Sequence, residues 1–443
     1  MATYLTRTQA AGNPDKWNLS VWVKRSDLTG DNSFSNIIAS PTGDQGVWID
    51  SAGNIDIYGA GSVRLKPKAK LRDVSAWYHI VVSYNSTDST ENDRIICYLN
   101  GTRLTDFHTN NQPSLNEDST FNVSGNVLHV GRRASSAEHY FKGYMAEMIF
   151  TDGYNYGPST FGSTNSDGIW VPNTAPSVTY GTNGFRLQFK NSGASADSSG
   201  FGADTSGNNN HLASNALGTN PNTSDSPQNN FGTLDLNNDR TQGGFTFNLG
   251  LMKVVTSGSN RNYACLTQAF KTGKWYMECR YTGGVASAGV GICDMNDLQM
   301  TGTSSLGDLS NEIAITADGS YEKNNSVTSG WAGSFTTNDI LGLCLDCDNN
   351  RFTLSKNGQF ADGSGNYDEA NPTAYITYTA GNFMTFAFGE RTSGGTATIE
   401  INTGNAPYTI ASGNADANGY GSFEYAVPSG YYAVCTKNMA TYG

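Results

Sequence analysis

Phe141-Lys142-Gly143-Tyr144-Met145-Ala146-Glu147-Met148-Ile149-Phe150 is the stretch on which the reading of this chain turns. Small or polar residues alternate with bulky ones along it, the period-2 pattern of a strand with one face in a core. Such a strand needs partners, and the residues before it supply them. After it the composition shifts to Gly, Ser, Asn and Thr, until a second set of strand patterns begins. The stretch is therefore expected to close one sandwich, and the chain to divide beyond it.

Upstream, Trp17-Asn18-Leu19-Ser20-Val21-Trp22-Val23 alternates so strictly that a one-residue slip would turn every large side chain to the wrong face. Shorter strand patterns follow at Gly46-Val47-Trp48-Ile49, Asn54-Ile55-Asp56-Ile57-Tyr58, Trp77-Tyr78-His79-Ile80-Val81-Val82, Arg94-Ile95-Ile96-Cys97-Tyr98-Leu99 and Val127-Leu128-His129-Val130-Gly131. Asn100-Gly101 is a two-residue hairpin signal, because both positions tolerate the positive φ of a type I′ turn. Many short antiparallel strands at this spacing predict a sandwich or jelly roll.

The composition agrees. Gly at 51 residues, Tyr at 23, Phe at 20 and only 15% charged residues make a turn-rich, aromatic chain, and long helical periodicities are absent. The expected fold class is all-β: two antiparallel β-sandwich domains joined by an ordered connector rich in Gly, Ser and Asn. The net charge of −12 divides as −3 over residues 1–180 and −9 over 181–443, which argues against nucleic acid as a partner. The N-terminus has no apolar run of a secretion signal, and no stretch approaches the ~18 apolar residues of a membrane span, so a product made in a cytoplasm without membrane insertion is expected. Seven cysteines without framework spacing read as small buried apolar residues rather than a disulfide scaffold.

A resemblance rests on particular residues. Trp22 with Lys24-Arg25-Ser26, then Trp77-Tyr78-His79, Tyr98-Leu99-Asn100-Gly101, His129-Val130-Gly131-Arg132 and the strand 141–150 resemble a laminin G-like, concanavalin A-like lectin domain over residues 1–172. This implies a sandwich first and ligand binding second. The related glucanases carry two close carboxylates on one strand, whereas Glu147 stands alone here, which argues against a hydrolase. Glu147 itself reads as a side chain tying down a neighbouring turn. His79, inside an apolar strand beside Trp77, reads as a structural histidine. Laminin G-like sites also imply calcium held by loop carboxylates, with Asp50, Asp118 and Asp152 as candidate ligands, although Asp is an ordinary turn residue in a sandwich.

In Arg64-Leu65-Lys66-Pro67-Lys68-Ala69-Lys70-Leu71-Arg72 every second residue is basic. If the segment is extended, Arg64, Lys66, Lys68, Lys70 and Arg72 share one face. That comb could dock phosphate or carboxylate groups of a surface polysaccharide or an acidic neighbouring subunit. It is equally the way an edge strand is protected by Lys and Pro against stray pairing.

Residues 173–240 form the expected connector. Asp204-Thr205-Ser206-Gly207-Asn208-Asn209-Asn210 superficially has the look of a calcium loop, but its Gly and distant Glu are misplaced, so turn chemistry is expected. Gly181-Thr182-Asn183-Gly184-Phe185, Asp225-Ser226-Pro227, Asn230-Phe231 and Thr233-Leu234 resemble the joining segment of tailed-bacteriophage virion proteins, as do Val427-Pro428-Ser429-Gly430-Tyr431-Tyr432 and Cys435-Thr436-Lys437-Asn438 near the end. Over 241–443, Lys271-Thr272-Gly273-Lys274-Trp275-Tyr276-Met277-Glu278-Cys279-Arg280, Ala288-Gly289-Val290-Gly291-Ile292 and the strands 339–346 and 351–358 resemble a SPRY domain with a C-terminal strap. Cys344-Leu345-Asp346-Cys347 lacks the second pair of a zinc site. Tyr367, Tyr375, Tyr378 and Tyr408 could stack on sugar rings or serve as sandwich cover.

The resemblances imply a non-enzymatic virion appendage, tail-fibre-like or head-fibre-like, present in many copies and binding host-surface glycan or protein. The alternative is a purely structural capsid or tail decoration protein that clamps neighbouring virion subunits.

Overall fold

The computed structural model describes residues 3–41, 45–166, 168–218, 221–236, 245–256, 263–284, 288–295, 305–390 and 396–443. They are all-β apart from single 3-10 turns and one short terminal helix, as composition and alternation predict. The chain divides into two compact units, Met1–Asn222 with Ser226–Gln228, and Thr223–Asp225 with Asn229–Gly443. The expected connector is thus shared between the units. Its boundary at 240/241 lies outside the described residues.

The first unit runs β1 (Tyr4–Thr8), β2 (Lys16–Arg25), β3 (Phe34–Ala39), β4 (Gly46–Asp50), β5 (Ile55–Gly59), β6 (Ser62–Pro67), β7 (Tyr78–Asn85), β8 (Ile95–Leu99), β9 (Thr102–Arg103), β10 (Phe107–Asn110), β11 (Val127–Val130), β12 (Gly143–Asp152), β13 (Gly162–Thr164), β14 (Trp170–Pro172), β15 (Phe185–Leu187) and β16 (Ala213–Asn215). One sheet has the order β10-β6-β5-β4-β3-β11-β1-β16, and the other β15-β12-β2-β7-β8-β9. Their inner faces share one core, with Trp17, Leu19, Val21 and Val23 of β2 meeting Val47, Ile49, Ile55 and Ile57 of the facing sheet. Alternation on β2 therefore works as read from the sequence. At the β8–β9 turn, Asn100 and Gly101 take φ of 47° and 83°, the type I′ geometry that the pair predicted.

The stretch 141–150 differs from expectation in one respect. β12 pairs with β2 from Gly143↔Arg25 to Asp152↔Trp17, but β15 lies on its other side, so β12 is an inner strand. The reason is the first part of the connector. Phe185 and Leu187 are fully buried against Phe150 and Met148, and Ala213–Asn215 adds a further strand beside β1. Between them Asp204 accepts bonds from the backbone N–H groups of Arg186, Ser206 and Asn210, each 2.8 Å, while Asn210 Nδ2 donates to the carbonyls of Thr182 and Gly184. This is the turn chemistry expected of 204–210.

In the second unit, Lys274–Gly283, Ile340–Asp346, Arg351–Lys356 and Thr398–Asn402 belong to one sheet, and Ala288–Asp294, Ile313–Thr316 and Met384–Glu390 to another. The face of the first sheet that bears Tyr276 and Cys344 is covered by Phe423, Tyr431, Ala433 and Cys435 from the C-terminal strap. Tyr378 and Tyr408 are buried in this unit, which makes them cover rather than surface. All seven cysteines are buried, and burial pushes the thiols of Cys97 and Cys347 up to about 12. Among the described residues no helix is long and apolar enough to cross a membrane.

Candidate binding face of the first sandwich

β6 lies at the centre of the candidate site. Leu65 points into the core, which leaves Arg64 and Lys66 on the outer face of the sheet. The strand ends at Pro67, and Lys68, Lys70 and Arg72 follow in chain outside it, held where Lys68 N donates to Asp106 O (2.9 Å) and Leu71 N to Gly53 O (2.8 Å). The comb is therefore two pieces rather than one straight row. Nor is β6 an edge, since β5 and β10 flank it, so edge protection does not explain its charges.

The two pieces differ in their partners. Arg64 pairs with Glu117; Lys66 Nζ pairs with Asp50 (2.5 Å) and Asp56 (3.3 Å); Lys68 Nζ pairs with Asp106 (2.8 Å). Lys70 and Arg72 are exposed and form no ion pair among the described residues. Burial works against the charge on Lys66, but its bonds to Asp50 and Asp56 outweigh that and raise its pKa. Burial likewise pushes the Asp56 carboxyl up to about 6, against the pull of Lys66. An incoming anion would have to displace carboxylates from Arg64 and Lys66. It would meet open cations at Lys70 and Arg72, with Lys68 exposed beside them.

The candidate calcium ligands do not converge. Asp50 accepts from Asn54 N and Lys66; Asp152 accepts from Asn13 N (2.7 Å) and from Asn183 N (3.0 Å) and Nδ2 (3.2 Å); Asp118 lies beside Asp15, whose carboxyl pKa it helps burial to raise. Among the described residues no group of three or more His, Cys, Asp and Glu could hold a metal ion, so these carboxylates do not fit a calcium site as a set.

Glu147 is committed structurally. It sits at a bulge in β12 with φ of 46°, and its carboxylate accepts from Arg186 Nε (3.0 Å) and Nη2 (2.6 Å) and from Gln188 Nε2 (3.2 Å). Two charge-assisted bonds from one guanidinium to Oε2 tie β15 to β12 and fix the added strand. Arg186→Ala is expected to lower the stability of the first unit by about 1–3 kcal/mol, because it leaves a mostly buried carboxylate with Gln188 alone; chemical denaturation measures it. His79 is fully buried. Trp170 Nε1 donates to its Nδ1 (3.0 Å), so Nε2 carries the proton and donates to Ser20 Oγ (2.8 Å). Burial lowers its pKa to about 3, so it stays neutral and structural.

A row of side chains beside the comb escaped the reading of the sequence. Asn36 is opposite Trp48, Trp48 is opposite Asp56, and the next strand places Lys66 beside Asp56. An amide, an indole, a carboxylate and an ammonium thus cross four strands of the outer face. The alternation of 46–49 and 54–58 already put Trp48 and Asp56 opposite the apolar Val47, Ile49, Ile55 and Ile57; the pairing of the strands was the missing piece.

Residues 2–153 match the family model described as the Concanavalin A-like lectin/glucanases superfamily. Over those residues the first unit is similar to concanavalin A-like domains. Among solved structures, the chain is similar to the SPRY domain of human HERC1 at 13% identity, covering 38% of this chain and 96% of that one with a TM-score of 0.31. It is also similar to the TRIM65 PSpry domain (16% identity, 39% and 91% covered, TM-score 0.28) and to a heptameric SAP-like pentraxin from Limulus polyphemus (15%, 35% and 72%, 0.25). No curated protein matches the chain.

Proposed function

We propose that this protein is a non-enzymatic adhesin of a tailed-phage particle, a tail-fibre-like or head-fibre-like appendage that holds host-surface glycan or protein through its first sandwich. The observation that carries the binding reading is the group of exposed cations at Lys68, Lys70 and Arg72, displayed by a concanavalin A-like body in which Glu147 is committed to Arg186. The particle assignment draws on the resemblance of 181–234 and 427–438 to virion proteins. Each contact to an acidic surface group is weak and screened by salt, and many copies on one particle turn such contacts into useful avidity.

The test replaces Lys68, Lys70 and Arg72 together by Glu. All three side chains are exposed, so folding is expected to stay within about 1 kcal/mol of the parent. Capture of the variant on cells of a susceptible strain is expected to fall at least tenfold in a sedimentation assay. Unchanged capture removes the cationic segment from the account. Failure of both proteins to bind cells, with stable capture by capsid or tail protein, would favour the structural decoration role.

A further inference from the structure

We propose a second ligand site in the first unit, under the strap of residues 131–142 on the outer face of β3, β4 and β5: a closed site for a neutral pyranose ring, with the strap's His139 in the ligand's place. It deepens the adhesive reading but uses none of the exposed cations.

The first observation is unmet hydrogen bonding. Asn36 is fully buried, and neither Oδ1 nor Nδ2 of its side chain has a partner; Trp48, 5% exposed, has none for Nε1. An amide sealed away with its donors and acceptor unused is uncommon in a native fold, because each such group loses water without replacement. Beside them lies Asp56, 3% exposed, whose Oδ1 receives no hydrogen bond and stands 3.3 Å from Lys66 Nζ. The set offers donors and acceptors along one line, with strand neighbours roughly 4.8 Å apart. Hydroxyls both donate and accept, and those two positions apart on a pyranose ring, unlike adjacent ones, match such a spacing.

The second observation is aromatic. The Trp48 indole lies over Gly46, where a Cβ would come within 2.6 Å of Nε1, so this strand leaves room for the ring to lie down. Tyr58 stacks on it at 4.9 Å and 12°. Phe34 meets it edge-on at 5.4 Å, and the His139 ring reaches it at 5.5 Å. An aromatic surface beside unmatched amide and N–H groups suits a ligand with an apolar ring face and a polar rim.

The third observation concerns the cover. Residues 131–142 contain no strand or helix. Gly131 and Gly143 bound the strap at φ of 84° and 152°, and His139 itself holds φ of 57°, unusual for a residue with a side chain. Attachment to the sheet includes the bond from Asn36 N to His139 O (2.9 Å), and at the neighbouring turn Asp31 accepts from Tyr140 N while Glu138 accepts from Asn32 Nδ2 (both 3.1 Å). The bond at Glu138 is exposed, that at Tyr140 is half-buried and that at Asn36 is buried, and single bonds outside a strand ladder open at lower cost than a ladder does.

The experiment uses the full chain with His139→Gly, which removes the ring from the indole and places at that φ the residue that tolerates it best. Glucose, galactose, mannose and N-acetylglucosamine are the probes, read by saturation-transfer NMR. At least one is expected to bind the variant ten times or more tightly than the parent, and Asn36→Ala in the same background is expected to abolish that gain. Should His139→Gly fold normally and bind none of the four, or should Asn36→Ala leave its binding unchanged, the site is a pocket of ordered water and the proposal is overturned. Capture on cells through Lys68, Lys70 and Arg72 is read separately, so failure of one site does not mimic failure of the other.

Discussion

Trp17→Ala is expected to destabilise the first unit by about 3–5 kcal/mol, the range for deleting a large aromatic from a core. Trp17 is 1% exposed and is the meeting point of three rings: it stacks on Tyr84 at 5.4 Å, meets Phe121 edge-on at 5.0 Å and lies 5.9 Å from Phe150. Its Nε1 donates to Ser119 Oγ at 3.1 Å, so alanine also leaves a buried hydroxyl with one partner fewer. Tyr84, Phe121 and Phe150 come from three separate segments, and the void cannot be closed by moving any one of them. Denaturant titration followed by hydrogen exchange in 16–25 measures the loss. A change under 1 kcal/mol would mean that the rings repack and that the two sheets are less tightly specified than their register implies.

Glu278 gives the second large effect, this time through pH. It is fully buried in Lys274–Gly283 and receives four donors: Tyr425 N (2.8 Å) and Tyr276 OH (3.1 Å) at Oε1, Glu424 N (2.9 Å) and Asn402 Nδ2 (3.4 Å) at Oε2. It fastens the C-terminal strap to the sheet. Burial nonetheless pushes its carboxyl up to about 7, because desolvation of the charge outweighs those bonds. The folded state therefore holds this proton more tightly than the unfolded chain. Below the ordinary value of 4.5 both states are protonated; between there and 7 the unfolded state ionises first, so stability falls as pH rises, and above 7 the loss is complete. The amplitude is about 3 kcal/mol. Glu278→Gln is expected to lower stability at every pH, since an amide cannot accept at both ends, and to remove this slope. A variant that keeps the parent's slope between pH 4.5 and 7 contradicts the assignment.

Much of the fold was legible in the sequence because one-sided burial leaves a period of two. β2, β7, β8 and β12 could be placed to within about three residues from alternation alone, and Asn100-Gly101 fixed a turn because few other pairs accept both φ values. The role of 173–222 was harder to see. Phe185 and Leu187 are two apolar residues in a polar stretch, too few to signal a strand, yet β12 offered an unpaired ladder that made them one. The candidate site was legible in composition and not in geometry. Five alternating cations can be read off 64–72, but Glu117, Asp50, Asp56 and Asp106, which neutralise three of them, come from elsewhere in the chain. Pairing between distant strands decides which charges remain open, and a single sequence does not carry it. The same holds for Asn36, whose isolation depends on a strap about a hundred residues away.

The most direct test of the adhesive reading is capture of the purified full chain on cells of a susceptible strain across a salt series, with the supernatant assayed for reducing sugar. The account predicts saturable capture that weakens as the Debye length shrinks from about 10 Å at 0.1 M to about 3 Å at 1 M, with no sugar released. Capture indifferent to salt, or release of reducing ends from the envelope, would contradict it.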